Sequence, residues 1–249
     1  MKTRLDTHLL EAGLVESLAK AQALIMAGVV LVDDKPSTKS GTTINPAKQS
    51  VRIKGQEHPW ASRGGLKLAA AIRAFKLNPQ GAVAVDVGAS TGGFTDVLLQ
   101  HGASKVYAVD VGQGQLLWRL QTDARVVVLD KTNARALDAT LIPDAPDWIV
   151  CDASFISLKK VLPAVLALAK SNATLVALIK PQFEAAYRDI SEGGIVRDAT
   201  VQQAVCADIQ TWLENEMHWQ VRGLMPSPIF GAKGNTEFLV WAVKTQKSA

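Results

Sequence analysis

The middle of the chain contains a series of short apolar segments, each followed by a charged residue. Segments of this length, rich in β-branched residues and separated by stretches long enough for helices, are typical of buried parallel strands. In a doubly wound α/β sheet, ligands bind outside the carboxyl ends of such strands. The pattern therefore predicts that five charged residues meet in one crevice. The segments are Val83-Ala84-Val85 before Asp86, Val106-Tyr107-Ala108-Val109 before Asp110, Val126-Val127-Val128-Leu129 before Asp130, Trp148-Ile149-Val150-Cys151 before Asp152, and Leu175-Val176-Ala177-Leu178-Ile179 before Lys180.

The first 56 residues show a different pattern. Leucines and other apolar residues at helical spacing predict two amphipathic helices. Gly13 and Gly28 suit the C-terminal ends of these helices, and Ser17 suits the N-cap of the second. Two short strands would follow, which makes the segment a small α+β module. The predicted strands are Val29-Val30-Leu31-Val32 and Ser50-Val51-Arg52-Ile53.

The length of 249 residues accommodates an α/β domain of about 180 residues together with this module. Between the two, residues 54–65 contain three glycines, a proline and Trp60, a composition that suits a linker or hinge. Trp60 could stack on a nucleobase or pack against the larger domain, and the sequence leaves both interpretations open. We predict the module over residues 1–56, the linker over 57–62 and the larger domain over 63–249.

Composition argues against several classes of protein. The sequence has no uninterrupted run of 18 apolar residues, and acidic residues near the N-terminus interrupt the segment that a secretory signal would need. Two cysteines make neither a disulfide framework nor a metal site, and the four histidines lack ligand-like spacing. We therefore expect a cytoplasmic protein that binds neither a metal nor a membrane.

The net charge of +4 is unevenly distributed. Between Lys35 and Lys76 the chain carries nine lysines and arginines against one acid, which leaves the remainder at −4. A basic zone on a mildly acidic body predicts a polyanionic partner, although an ordinary solvated surface remains the alternative. Because phosphate contacts supply most of the affinity for a nucleic-acid polyanion, we expect basic residues of the module and of the start of the larger domain to bind phosphates. The candidates are Arg4, Lys20, Lys35, Lys39 and Arg63.

The module also resembles the small RNA-binding domain named after ribosomal protein S4. The resemblance runs from Arg4 to Ile53 and rests on Arg4-Leu5-Asp6, on the helix that follows Ser17, and on Gly28-Val29-Val30-Leu31-Val32. Leu18 stands where that family usually has an arginine, and Lys20 is the nearest cation. The resemblance implies that this module binds RNA. A helical module that only packs against the second domain is the alternative.

A glycine-rich segment, residues 86–95, follows the first strand of the larger domain. It matches the dinucleotide fingerprint poorly, because Ser90 replaces the second glycine and Asp86 would repel a diphosphate. An acid at this position suits a cationic ligand, and Asp110, 24 residues further on, stands where a carboxylate accepts from ribose hydroxyls. A ribose-bearing ligand with a positive centre is S-adenosylmethionine (SAM), although a purely structural turn is the alternative. The candidate cofactor contacts are Asp86, Gly88, Ser90, Thr91, Gly92, Gly93, Phe94, Asp110, Asp130, placed beside the adenine, and Asn133.

Four further residues predict a catalytic site. Lys67 enters the helix before the first strand, and Asp152 and Lys180 end the fourth and fifth strands. Glu237 begins the last apolar run, so an antiparallel last strand would bring it to the same edge of the sheet. For each residue alone, a surface ion pair is the ordinary explanation. Together the four predict one constellation.

The order Lys-Asp-Lys-Glu resembles the tetrad of the FtsJ-like ribose 2′-O-methyltransferases, and the surrounding sequences resemble the TlyA family. This resemblance implies a Rossmann-like, mostly parallel seven-stranded SAM methyltransferase that modifies cytidine riboses of ribosomal RNA. It extends over nearly the whole chain, and relatives are often labelled haemolysins. The segments that carry it are Ser62-Arg63-Gly64-Gly65-Leu66-Lys67, Gly88-Ala89-Ser90-Thr91-Gly92-Gly93-Phe94-Thr95, Lys180-Pro181-Gln182-Phe183-Glu184 and Gly193-Gly194-Ile195-Val196-Arg197.

The residue types agree with this chemistry. A ribose 2′-hydroxyl must lose its proton as it attacks a sulfonium methyl, and a neutral lysine can accept that proton. Our hypothesis makes Lys180 the base and Lys67 the group that orients the ribose-phosphate. Asp152 and Glu237 would hold the two amino groups. Since the chain begins almost at Arg4 and ends soon after the last strand, we expect the 23S RNA of the large subunit, with 16S RNA as a second possibility.

Three other functions compete with this hypothesis. A nicotinamide-dependent oxidoreductase is opposed by the acid at Asp86 and the broken fingerprint. A non-catalytic RNA-binding assembly factor is opposed by the intact set of four residues. A membrane-active haemolysin lacks support in a signal sequence, a spanning helix or a strongly basic amphipathic helix.

Overall fold

The structure is a computed structural model that describes residues 2–15, 17–54 and 58–245. Residues 2–54 form a small α+β module, in which helices α1 and α2 pack over a core that includes Leu5, Leu9 and Ile25. A three-stranded antiparallel sheet of order β3-β2-β5 and the pair β1-β4 complete this module. Its elements are β1 (Thr3–Arg4), α1 (Leu5–Glu11), α2 (Leu18–Met26), β2 (Val30–Val32), β3 (Lys35–Pro36), β4 (Thr43–Ile44) and β5 (Val51–Ile53).

Both helices of the module end as the sequence predicts. Gly13 and Gly28 follow them with φ of +66° and +69°, the left-handed region that glycine adopts at low cost. Ser17 Oγ accepts a hydrogen bond from Lys20 N at 3.2 Å, which confirms the predicted N-cap. The two predicted strands are present and pair with each other, Val30 opposite Ile53.

The larger unit is built on a seven-stranded sheet of order β11-β12-β10-β9-β6-β7-β8. Strands β6 to β10 run parallel, β12 is antiparallel to β10, and β11 is antiparallel to β12. The predicted Rossmann-like, mostly parallel sheet is therefore confirmed. The strands are β6 (Val83–Val87), β7 (Lys105–Val109), β8 (Val126–Leu129), β9 (Trp148–Cys151), β10 (Thr174–Ile179), β11 (Trp219–Pro226) and β12 (Phe238–Lys244).

Helices cover both faces of this sheet. One core contains Val85, Ile149 and Leu175, and the core on the other face contains Leu68 and Ala84. Because both faces are buried, the parallel strands are continuously apolar instead of alternating, which is why the sequence showed runs. The helices are α3 (Gly64–Phe75), α4 (Gly93–Gln100), α5 (Trp118–Gln121), α6 (Leu158–Val161), α7 (Pro163–Leu168), α8 (Pro181–Glu184) and α9 (Ala199–Asn215).

Three details go beyond the sequence prediction or correct it. Strand β6 continues through Asp86 to Val87, so Asp86 lies within the strand and not at its end. Strand β11 has no continuous apolar run, because it lies at the sheet edge and alternates buried or half-buried with exposed residues. Trp60 packs beside the second core, its ring centroid 6.0 Å from that of His101, as the packing interpretation expected.

The predicted linker of residues 57–62 falls partly outside the described residues, which omit 55–57. The domain boundaries at residues 56 and 63 therefore stay a prediction. Within the described ranges, no helix has the length and hydrophobicity that crossing a bilayer would require.

Candidate active site

Charged side chains gather where the parallel strands end. Asp110, Asp152 and Lys180 directly follow β7, β9 and β10. The antiparallel register sets Ile179 opposite Phe238, so the residue before β12, Glu237, reaches the same edge. Strand order and direction thus bring together groups that are far apart in sequence.

Lys67, Asp152, Lys180 and Glu237, hereafter the tetrad, form a connected ion-pair network. Lys67 Nζ lies 3.2 Å from Asp152 Oδ2 and 2.8 Å from Glu237 Oε2. Lys180 Nζ lies 2.6 Å from Asp152 Oδ1. Both lysines are buried, so Asp152 compensates two positive charges while Glu237 pairs with Lys67.

The Lys180 amino group is surrounded by three oxygens. Besides the Asp152 carboxylate, its Nζ donates to the Asp152 carbonyl at 3.1 Å and to Ser154 Oγ at 2.9 Å. An ammonium group has three hydrogens, so this environment fixes its orientation. Of the three oxygens, the hydroxyl of Ser154 alone can also donate, which would let it partner the neutral amine.

Glu237 is held by the loop before β12. A Cβ on Gly231 would lie 2.5 Å from Glu237 Cδ, so a larger residue there would displace the carboxylate. Asn235 is buried and donates to Gly194 O at 3.0 Å, while its Oδ1 accepts from Val196 N at 3.1 Å. These bonds join the loop of Gly194 to the loop of Glu237, and both loops line the cleft that contains the tetrad.

Two adjoining clefts meet at the ends of the strands. The tetrad cleft, of about 440 Å³, contains all four tetrad residues and part of the glycine-rich segment. The second cleft, of about 340 Å³, is lined by Asp110 and Asn133. Gly88, Ser90, Asp152, Ser154 and Phe155 line both clefts.

The glycine-rich segment is shaped by close backbone approaches. A Cβ on Gly88, where φ is +82°, would lie 3.0 Å from the backbone of Ala153. Ser90 adopts a left-handed conformation, and its N–H donates to Asp110 Oδ2 at 2.8 Å. Asp110 Oδ1 accepts from Gly112 N at 2.7 Å. Asp110 therefore fixes the loop that separates the two clefts.

Asp86 has an environment that the sequence did not predict. It is fully buried, and its Oδ2 accepts from the backbone N–H and the hydroxyl of Thr95 at 2.9 and 2.7 Å. Burial raises its pKa to about 7. Its Oδ1 is buried without a hydrogen-bond partner among the described residues. The carboxyl group therefore lies beneath the loop and lines neither cleft, so the prediction that Asp86 stands at the strand tip is corrected, while its contact with a cofactor stays a prediction.

The other predicted cofactor residues divide between the clefts and the loop framework. Asn133 lines the second cleft, and its Oδ1 accepts from Arg135 N at 3.1 Å. Asp130 is not among the lining residues; its Oδ2 accepts from Gly114 N at 2.7 Å. Gly92 is covered by Leu116, so it too lies outside the lining. The predicted residues that line the tetrad cleft are Gly88, Ser90, Thr91, Gly93 and Phe94.

Aromatic residues of the tetrad cleft were missed by the sequence analysis. Phe155 is 90% exposed, although large apolar side chains are usually buried, and its φ is +65°. Its ring centroid lies 5.3 Å from that of Phe183. The sequence signal that could have identified Ser154 and Phe155 is their position, because both follow Asp152 within three residues.

The predicted RNA contacts are all exposed, but two have protein partners. Arg4 forms two hydrogen bonds with Asp6, at 3.0 and 2.6 Å, and thereby lowers the pKa of Asp6 to about 2. Arg63 lies at the rim of the tetrad cleft and donates to Phe230 O at 2.9 Å. The exposed candidates are Arg4, Lys20, Lys35, Lys39 and Arg63.

The cysteines carry no sign of reactivity. Cys151 and Cys206 are buried free thiols, and burial raises their pKa values to about 12 and about 11. Among the described residues, no group of three or more histidine, cysteine or acidic side chains has the arrangement of a metal site.

Known proteins resemble this chain over almost its full length. The model of the FtsJ-like methyltransferase family matches residues 60–244, and the model of the S4 domain matches residues 3–49. The chain is 41% identical over 245 residues to the 16S/23S rRNA (cytidine-2′-O)-methyltransferase TlyA of Mycobacterium tuberculosis, which covers 98% of this chain and 91% of the relative. It is 39% identical over 237 residues to Hemolysin A of Brachyspira hyodysenteriae, covering 95% and 98%. A solved structure from Streptococcus thermophilus, provisionally named a hemolysin, gives a TM-score of 0.75 at 39% identity, over 99% of this chain and 90% of that one.

Proposed function

The chain belongs to the FtsJ-like methyltransferase family and, within it, to the TlyA proteins, and from this premise we propose that it methylates cytidine 2′-hydroxyls of ribosomal RNA with SAM. The observation that carries the proposal is the ion-pair network of the tetrad, which lies in the cleft at the ends of β9 and β10 beside the glycine-rich loop. Because ribosomal RNA is the substrate, we propose the cytoplasm as the place of the reaction.

The second cleft has the groups that a nucleoside ligand needs. Each oxygen of the Asp110 carboxylate accepts one backbone N–H and keeps a lone pair for a ribose hydroxyl. The close backbone approach at Gly88 leaves the loop without a side chain where the two clefts join. These residues fit SAM, which when bound supplies an electrophilic methyl group.

The tetrad supplies the remaining chemistry. In its neutral form, Lys180 accepts the proton that the ribose 2′-hydroxyl loses, and the ammonium that results is held by Asp152 and Ser154, which line both clefts. Lys67, held between Asp152 and Glu237, orients the ribose-phosphate. Alignment of the hydroxyl accounts for much of the rate, since a fixed geometry replaces a bimolecular encounter.

The exposed residues fit an RNA substrate. Single-stranded nucleotides are recognised by aromatic stacking and by cations along the backbone. Phe155 offers an exposed ring beside the tetrad, and Arg63 offers a cation at the rim of the same cleft. The S4-type module carries the other predicted phosphate contacts, Arg4, Lys20, Lys35 and Lys39.

The test is methyl transfer from labelled SAM to purified small and large ribosomal subunits. Lys180→Ala is the inactive control, and Lys170→Ala is the matched variant because Lys170 pairs with Asp147 away from the clefts. We expect label in subunit RNA, resistant to alkaline cleavage at the methylated position, and lost only with Lys180→Ala. Methylation in the wild type that survives Lys180→Ala would remove Lys180 from the mechanism. Absence of SAM binding would refute the function itself.

A further inference from the structure

A second ion pair, between a buried carboxylate and a half-buried arginine, lies outside the tetrad and has no part in the proposed chemistry. Asp96, on α4, is 1% exposed, and both of its carboxylate oxygens accept from the guanidinium of Arg119, on α5. Asp96 Oδ2 also accepts from Ala61 N at 2.7 Å, and Oδ1 accepts from Gln100 Nε2 at 2.9 Å. Four donors on one carboxylate make Asp96 a rigid anchor.

The other side of Arg119 contacts the RNA-binding module. Gly13, at the end of α1, is buried against the aliphatic part of the Arg119 side chain. A Cβ on Gly13 would lie 2.7 Å from Arg119 Cγ and 2.6 Å from its Nε. The aliphatic part of an arginine side chain, its stem, can pack against one surface while its guanidinium group binds another group. Arg119 therefore touches the module with its stem and the methyltransferase unit with its guanidinium.

Helix α5 also contacts the glycine-rich loop. A Cβ on Gly92 would lie 2.7 Å from Leu116 Cδ1 and would overlap Leu120. Asp96 is three residues after Gly93, where α4 begins at the end of that loop. The pair Asp96–Arg119 thus lies between the module, the segment before α3 and the loop of the second cleft.

We propose that Arg119 and Asp96 are positioning residues that dock the RNA-binding module against the methyltransferase unit at Gly13. The ion pair holds the guanidinium, and the fixed stem of Arg119 then offers Gly13 a rigid surface. The consequence for RNA follows from preorganisation. A docked module presents its RNA contacts at a fixed distance from the tetrad, whereas an undocked one must be ordered during binding, which weakens the apparent affinity.

The chain offers a matched pair of glycines for the test. Gly13→Ala and Gly28→Ala introduce the same methyl group at nearly the same positive φ, in the same module. At Gly28 the nearest atom to a new Cβ is Thr38 Cγ2 at 3.7 Å, so this substitution is sterically free. Backbone strain is therefore common to both variants, and the collision with Arg119 is specific to Gly13→Ala.

The first readout is structural and does not depend on the proposed function. Spin labels are attached to cysteines introduced at two exposed positions, by Lys48→Cys and Gln203→Cys. Pulsed electron paramagnetic resonance then reports the distance between the two units, and the native thiols are buried and therefore protected from labelling. We expect a narrow distance distribution for the wild type and for Gly28→Ala. Gly13→Ala, Arg119→Ala and Asp96→Asn should each broaden or shift it. Equal distributions in all variants would overturn the proposal.

A double substitution excludes a purely local effect. If Gly13→Ala acts through Arg119, adding it to Arg119→Ala should change the distribution no further, because the colliding atoms are already gone. Arg119→Lys keeps the charge but loses the paired hydrogen bonds, and it should fall between the wild type and Arg119→Ala. Additive effects of Gly13→Ala and Arg119→Ala would contradict the proposed contact.

The second readout rests on the proposed function. In methyl transfer, Gly13→Ala and Arg119→Ala should raise the KM for the RNA substrate about tenfold relative to Gly28→Ala, with kcat within about twofold. Simple loss of folded protein would lower kcat at constant KM and would lower Tm, which overturns the positioning role. If the wild type transfers no methyl group, the proposed function fails, and the distance measurement still decides whether the module is docked by Arg119.

Discussion

Lys180 Nζ lies 2.6 Å from Asp152 Oδ1, and this contact joins the ends of two neighbouring parallel strands, β10 and β9. The same carboxylate lies 3.2 Å from Lys67 Nζ, so one anion compensates two buried cations. Removing one member of a buried pair leaves an uncompensated charge, which is more costly than the pair itself is stabilising. The tetrad is therefore expected to respond to substitution as a unit.

Asp152→Asn should test this dependence. The change preserves shape but removes the charge shared by two lysines, so we expect methyl transfer to fall about a hundredfold. The measurement is single-turnover transfer with saturating SAM. Asp147→Asn is the control, because Asp147 pairs with the half-exposed Lys170. Activity of Asp152→Asn within a few-fold of the control would contradict the shared role.

Ser154→Ala removes one of the three oxygens around Lys180 Nζ. Since the amino group would then be less well oriented, we expect kcat to fall about tenfold while the affinity for SAM changes less than about twofold. Ser171→Ala, at an exposed turn, is the control. An unchanged kcat would show that Ser154 is dispensable.

Asp110 and Asp130 should differ in cofactor binding. Asp110 lines the second cleft and fixes the loop at Ser90, whereas Asp130 contacts Gly114 outside the cleft lining. We expect Asp110→Ala to weaken SAM binding about 10- to 100-fold and Asp130→Ala only a few-fold. Calorimetric titration with SAM measures both. Equal losses would mean that Asp130 contacts the nucleoside directly, as the sequence analysis first predicted.

Phe155→Ala should weaken binding of the RNA and not of the cofactor. A base stacked on an aromatic ring contributes about 1–3 kcal/mol, so we expect the RNA KM to rise at least about fivefold. Tyr187→Ala is a matched control, because Tyr187 is 92% exposed and is not part of either cleft lining. If both substitutions have the same effect, the ring of Phe155 has no specific role.

Because of Asp86, the free energy of unfolding should decrease as the pH rises. Its pKa rises from 3.8 to about 7 through burial, so between these values the folded protein holds a proton that the unfolded chain has lost. The free energy of unfolding therefore decreases as the pH rises through this window, by up to about 4 kcal/mol. Urea unfolding at about pH 5 and about pH 8 should show a larger decrease for the wild type than for Asp86→Asn. A parallel decrease in both proteins would argue against this pKa.

Much of the fold could be read from the sequence because its signals are local. Apolar runs identified the parallel strands, since strands buried on both faces must be apolar throughout. Gly13, Ser17 and Gly28 marked helix ends because φ and capping hydrogen bonds are properties of a few neighbouring residues. The edge strand β11 was not predicted, because half of its residues face solvent and it therefore has no continuous apolar run.

The candidate site could be predicted only in part. The positions of Asp110, Asp152, Lys180 and Glu237 at one edge of the sheet follow from sheet topology, which the sequence pattern implies. The burial of Asp86 beneath the loop, the packing of Gly92 under Leu116 and the contact of Asp130 with Gly114 do not. These depend on how loops fold back over the strands, and the residues involved lie up to 24 positions apart.

The sequence by itself determined which residues reach the ends of the strands and the type of chemistry they carry. Only the tertiary structure decided which groups these residues contact. Asp152 pairs with both lysines, and Lys180 donates a hydrogen bond to Ser154. Arg119 binds Asp96 and contacts the module at Gly13. The physical reason is range. Periodicity and capping act over a few residues, whereas an ion pair between Lys67 and Glu237 spans 170 positions and exists only after the sheet is assembled.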